Sequence, residues 1–290
     1  MNIEIIATAI FNALNASSIL IVSALGLAVI FGMMGVINLA HGEFIMLGAY
    51  FVYIFKSMGL NIWVSMAIAP IPVALIAVII ERGIVRFLYG RQMDTLLATW
   101  GISIFLIQSI RVLFGPEGKS IPHPFPGTFE INGLFFPKYR FLLILITLSI
   151  LLLMYLLFKF TKFGLKARAV IQNPDMSSAL GVNTPHVYMM TFCLGAGLAG
   201  LAGSLLTPLI NVEPALGLKI VVRTFLVVVT GGTEILFGTV AGGTILGSTE
   251  SIVALFTSTY FGNVILLILA ILIIRIKPKG LISKVAETLK

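Results

Sequence analysis

Gly32-Met-Met-Gly35-Val-Ile-Asn38-Leu-Ala-His41-Gly42-Glu43 sets three glycines and three polar side chains between apolar stretches at 8–31 and 41–56. A continuous lipid-facing helix is a poor account of it. Glycine lets the backbone break or lets helices approach closely, and non-helical backbone at membrane depth persists only where protein or a water-filled cavity surrounds it. The segment is therefore expected to be a broken helix facing the protein interior.

Working outward, further apolar stretches lie near 62–81, 95–114, 140–158, 188–210, 220–232, 235–257 and 262–276. Most are long enough to cross ~30 Å of hydrocarbon. The composition agrees, since 59% of the residues are hydrophobic and only 10% charged, and the mean hydropathy is +1.09. A soluble core cannot hide that much apolar surface. The expected fold is an all-α polytopic membrane protein with eight or nine transmembrane helices, some broken or re-entrant, forming one transmembrane domain over 1–290.

The net charge of +8 does not form the continuous basic face that nucleic acid requires. Instead Arg82, Arg86 and Arg91 fill one loop, Lys159, Lys162, Lys166 and Arg168 open another, and Lys277 and Lys279 follow the last span. Excess Lys and Arg marks cytoplasmic loops, which puts all three segments and the carboxyl terminus on the cytoplasmic side. Two spans separate the first pair of basic loops and four separate the second loop from the tail, so the parity is consistent. The Pro- and Gly-rich segment at 115–139 then faces outward. Met1 to Ala9 lacks the basic region of a cleavable signal and reads as part of the first span. Cys193 is the only cysteine, which excludes an intramolecular disulfide.

A second interruption, Gly231-Gly232-Thr233-Glu234-Ile-Leu-Phe-Gly238, can be laid beside Gly35 to Gly42 with one residue of slack, a weak sign of a duplicated half. Paired interrupted helices are a sequence pointer to a pathway at the membrane midplane. Asn38, His41, Gly42, Glu43 and Glu234 are accordingly candidates for a translocation path or for the helix breaks themselves. For His41 and Glu43 two readings stand side by side: bracing of the break, with Glu43 near a positive helix amino terminus, or contact with a substrate. In Asp94-Thr95-Leu-Leu-Ala-Thr99-Trp100-Gly101-Ile-Ser103, hydroxyls recur every four residues. Such a stripe lines a path or hydrogen-bonds within the bundle, and Thr95, Thr99, Trp100 and Ser103 join the candidates. The run Gly195-Ala-Gly197-Leu-Ala-Gly200-Leu-Ala-Gly203 reads as a close-packing surface.

Catalytic and metal roles find no pattern. His41 and Glu43 are two residues apart, not the three or four that share a helix face, and His123 and His186 fall in loops assigned to opposite sides. Gly118-Lys119-Ser120 lacks the upstream glycine of a phosphate-binding loop, because Leu113 stands there. No cofactor is expected, and any ATP hydrolysis belongs to another polypeptide.

The stretch from Gly26 to Tyr50, which contains Gly35-Val-Ile-Asn38-Leu-Ala-His41-Gly42-Glu43, closely resembles the signature of LivH-type ABC transporter permeases for branched-chain amino acids. The resemblance continues through Gly164-Leu-Lys166-Ala-Arg168-Ala, Gln172-Asn173, Ala179-Leu180-Gly181-Val-Asn183, the small-residue run and Lys277-Pro-Lys-Gly280-Leu, and so covers nearly the whole chain. It implies a non-enzymatic permease of the bacterial inner membrane. It also implies a second, LivM-like permease as partner in a heterodimer, two cytoplasmic ATPase subunits and an extracytoplasmic substrate-binding protein.

The resemblance makes 159–187 a cytoplasmic coupling loop, in which a short helix docks on the ATPase. Lys166, Arg168, Asn173, Ala179, Leu180, Gly181 and Asn183 are its coupling residues. The loop Leu88-Tyr89-Gly90-Arg91 looks more like urea-type members of the family, although Gln92 and Met93 stand where those members commonly read Pro-Leu. The expected substrate is therefore urea or a short-chain amide, with branched-chain amino acids as the alternative. An ion-coupled secondary transporter or channel using Glu43 or Glu234 is the remote one.

Overall fold

The computed structural model describes residues 3–131, 133–232 and 234–282. Twelve α-helices are formed among them. In chain order they are α1 (Ile3–Met34), α2 (His41–Ser57), α3 (Ile62–Ile68), α4 (Pro70–Gly83), α5 (Gln92–Phe114), α6 (Lys138–Phe160), α7 (Lys162–Gln172), α8 (Pro174–Ala179), α9 (Thr184–Leu206), α10 (Leu216–Gly231), α11 (Ile235–Phe256) and α12 (Thr259–Ile276). A 3-10 turn, Val85–Leu88, follows α4, and Pro70 divides one apolar span into α3 and α4.

Seven helices among the described residues are long and apolar enough to cross a membrane, counting α3 and α4 as one. The apolar helices α2 and α10 have 17 and 16 residues, about 24–26 Å at 1.5 Å per residue. Seven full spans and two short ones match the expected eight or nine.

Burial identifies the solvent. Ile71, Leu75 and Ile79 recur every fourth residue on α4 and are exposed, as are Leu97, Phe105 and Val112 on α5. Thr95, Thr99 and Ser103 of the same α5 are buried, with Ser17, Ser18, Ser23 and Thr191 elsewhere. Apolar side chains outward and hydroxyls inward is the arrangement a bilayer selects.

The chain forms two compact units. One comprises 1–25, 123–150 and 222–290, and within it α11 packs on α12. Gly243 and Gly247 of α11 bring that helix against Ile21 and Ser17 of α1. The 115–139 segment contains an antiparallel hairpin not anticipated from the sequence, β1 (Thr128–Ile131) and β2 (Leu134–Pro137), with Thr128 opposite Pro137. Gly133 has φ +80° at its turn. The chain after α12 folds back on the end of α10: Leu281 N–H donates to Thr230 O at 2.8 Å and Ile282 N–H to Gly231 O at 3.1 Å.

The other unit comprises 26–122 and 151–221. Its spine is α9, against which α2 and α4 pack. The glycine run makes this possible. A Cβ at Gly203 would lie 1.9 Å from Ile45 O, and one at Gly48 2.1 Å from Gly200 O. Backbones in such contact exclude any side chain, and the close-packing reading of the run is what the structure shows.

Gly203→Ala is expected to destabilise the detergent-solubilised protein by about 1–3 kcal/mol through overpacking. Gly101→Ala on α5, where a Cβ meets nothing within 4 Å, is expected to be neutral or to raise stability by up to about 1 kcal/mol. Equilibrium unfolding of the two variants side by side checks the pair.

Candidate functional site: a buried polar helix break

The break between α1 and α2 is built from local backbone chemistry. Gly35 ends α1 with φ +64°, a conformation other residues adopt at a cost, and its N–H donates to Phe31 O at 2.9 Å. Asn38 then makes a side-chain turn, its Oδ1 accepting from Ala40 N–H at 3.0 Å. His41 N–H donates to Asn38 O at 3.3 Å as α2 begins.

The hydroxyl stripe of α5 completes the break. Thr99 Oγ1 accepts from Leu39 N–H at 3.1 Å, and its own hydrogen has Leu96 O at 3.0 Å and Ile37 O at 3.3 Å within reach. Thr95 turns its hydroxyl to Leu88 O and Arg91 O, securing the start of α5. Ser103 is the hydroxyl beside the Glu43 carboxyl, and neither Glu43 oxygen makes a hydrogen bond of regular geometry among the described residues.

Asn38, His41, Glu43, Thr95, Thr99 and Ser103 are all buried, His41 and Glu43 completely. Glu43 lies in the first turn of α2, where the helix dipole favours negative charge. Gly42 presses on the backbone of Gly217, where a Cβ would lie 2.3 Å from its carbonyl oxygen. The break, facing inward as expected, thus joins α1, α2 and α5 through polar contacts.

Two expected members stand apart. Trp100 is 54% exposed and turns away from the stripe, because it sits one position from Thr99 and so about 100° around the helix. Glu234 is the N-cap residue of α11 at the second interruption, in the other compact unit. That interruption also turns on a left-handed glycine, Gly232 at φ +97°, which packs on Gly280.

The coupling candidates form one exposed feature. Asn173 caps α8 by accepting from Met176 N–H at 2.9 Å, and Asn183 caps α9 by accepting from His186 N–H at 3.0 Å. Between them Gly181, at φ +86°, closes α8. Ala179, Leu180 and Gly181 are exposed, Leu180 by 77%. Arg168 donates to Phe158 O, tying α7 to the end of α6, while Lys166 is exposed.

Sequence reasoning passed over two carboxylates. Glu81, 1% exposed at the end of α4, accepts from the Tyr89 hydroxyl. Burial and then the Glu81 carboxylate push the Tyr89 phenol up, so it stays a donor. Glu250 of α11 pairs with Arg223 of α10, Nη1 to Oε1 at 3.0 Å. Glu81 closes an apolar run just before Arg82, and Glu250 is the one carboxylate within α11; an acidic residue in such a helix was the signal available.

Seven apolar spans among the described residues, together with a buried, hydrogen-bonded helix break, define a multi-pass membrane protein. The family model described as "Branched-chain amino acid transport system / permease component" matches residues 9–274, and the chain belongs to that family.

Among its relatives is the high-affinity branched-chain amino acid transport system permease protein LivH of Escherichia coli, 28% identical over 290 residues and 94% of each chain. BraD of Pseudomonas aeruginosa, a permease protein of the same description, is 28% identical over 289 residues and 94% of each chain. The probable branched-chain amino acid transport permease protein LivH of Methanocaldococcus jannaschii is 27% identical over 285 residues, 91% of this chain and 89% of its own. No solved structure matches significantly. The LivH-type resemblance therefore holds. The lean toward urea or an amide finds no support in these names, and branched-chain transport, the alternative, fits them better.

Thr99→Val keeps the side-chain volume but leaves Leu39 N–H without its acceptor, and is expected to cost about 1–3 kcal/mol in detergent unfolding. Thr99→Ser is expected to stay within about 0.5 kcal/mol of the parent.

Proposed function

We propose that this chain is a permease subunit of an ATP-binding-cassette importer that moves branched-chain amino acids across the bacterial inner membrane. The observation that carries the reading is the match of the family to nearly the whole chain, together with relatives of that transport description at 94% coverage. A second permease of similar build, two cytoplasmic ATPase subunits and an extracytoplasmic binding protein complete the machine. Hydrolysis of ATP belongs to the ATPases.

In this reading the loops at 82–91 and 159–187 and the carboxyl terminus face the cytoplasm, and the 115–139 hairpin faces outward. The short helix α8 is capped at both ends and exposed, the form a docking element needs. A compact helix held between two spans passes on a push as a rigid body. The break at 35–40 supplies the hinge, since backbone released from helical bonding changes its dihedral angles without tearing a helix apart. Asn38, His41 and Glu43 line or brace the path there.

The test is uptake of radiolabelled leucine and urea into proteoliposomes holding the chain with its permease partner, ATPases and binding protein. Leucine uptake that requires internal ATP is expected; urea uptake would return the substrate to the amide class, and uptake indifferent to ATP would refute the importer mechanism. Leu180→Asp, at an exposed position, is expected to cut leucine uptake about tenfold or more by weakening the ATPase contact, while stability stays within about 0.5 kcal/mol.

A further inference from the structure

Arg223 lies seven residues into α10 and Glu250 six residues before the end of α11, about 9–11 Å from those helix ends. Arg223 follows Val221 and Val222 in α10, and Glu250 stands between Thr249 and Ser251 in α11. A guanidinium facing acyl chains at such depth costs at least ~2.5 kcal/mol, yet the Arg223 side chain is 37% exposed on this chain while Glu250 is 12% exposed. That face therefore meets water or a protein partner rather than lipid.

The pairing itself is incomplete. Arg223 Nη1 donates to Glu250 Oε1 at 3.0 Å, and the guanidinium makes no other hydrogen bond among the described residues. Arginine presents a planar fork suited to holding a carboxylate by two parallel bonds, and here one prong is used. Glu250 is held from behind: Gly262 of α12 brings its backbone so close that a Cβ would lie 2.7 Å from Glu250 O.

We propose that Arg223 and Glu250 form an ion pair that opens to receive an α-amino-acid zwitterion in passage, the guanidinium taking the α-carboxylate and the Glu250 carboxylate taking the α-ammonium. The inference rests on the importer reading and sharpens it. Closed, the two charges neutralise each other; occupied, each is neutralised by the ligand, so neither state leaves an unpaired charge in the membrane. A neutral amide has no opposite charges to offer, and the exchange would strand both residues. The pair thus selects zwitterions over urea, whatever the binding protein delivers.

The experiment uses the assembled transporter in proteoliposomes with radiolabelled leucine, reading uptake, ATP hydrolysis and subunit assembly together. The double variant Arg223→Gln/Glu250→Gln removes both charges, so assembly and ATP hydrolysis are expected to persist while leucine uptake falls at least about thirtyfold. Arg223→Lys keeps the internal pair but loses the fork, and is expected to assemble normally with uptake down about fivefold.

Uptake like that of the unaltered complex in either variant overturns the proposal. So does full recovery in the charge-reversed Arg223→Glu/Glu250→Arg variant, because a merely structural pair survives reversal and a ligand site does not. If the unaltered complex shows no ATP-dependent leucine uptake, the importer reading itself falls and takes this inference with it.

Discussion

In hydrocarbon no water is present to take up an unbonded backbone N–H or C=O, and each such group costs on the order of several kcal/mol. A helix can therefore be interrupted inside a membrane only where other protein groups or a water-filled cavity replace the lost bonds. The segment between α1 and α2 depends on this replacement. Asn38 supplies an acceptor to Ala40 N–H and Thr99 supplies one to Leu39 N–H. The break is thus a hydrogen-bonded structure shared between a turn and a neighbouring helix.

The same constraint explains the placement of glycine. Without a hydrophobic driving force between helices, association rests on close packing, and small residues let backbones touch. In α9 the glycines meet α2 almost backbone to backbone and receive the side chains of Val73 and Ala74 from α4, and α2 is the helix that carries His41 and Glu43. Tight packing on one side of α2 and the hydroxyl stripe on another hold its polar first turn away from lipid. The polar groups of that turn are held by the contacts that make the helices cohere.

Much of this was legible in the residues. The Gly32–Glu43 segment announced a break because three polar groups in an apolar region have no place on a lipid-facing helix, and Thr95, Thr99 and Ser103 announced an inward face by their spacing of four. Trp100 stands off that buried stripe because neighbours in sequence point about 100° apart on a helix. The strands of the 115–139 hairpin were missed, although Asn132-Gly133 between Phe-rich runs is a turn signal. Its Pro and Gly content outweighed that signal. Arg223 and Glu250 were absorbed into apolar runs because each alone resembles a tolerable exception, and only their pairing across two helices gives them meaning.

Hydropathy, charge placement and motif are local properties, additive along one dimension. They determined the solvent, the approximate number and positions of the spans, the positions of both interruptions and the family. Which side chains meet is decided by the packing of helices far apart in the chain. Thr99 reaches Leu39 across 60 residues and Arg223 reaches Glu250 across 27. Those meetings depend on helix rotation and on glycine contacts that set spacing to within an ångström or so, and a one-dimensional pattern carries no information about rotation. The tertiary structure alone therefore turned polar residues at membrane depth into a braced break and an ion pair.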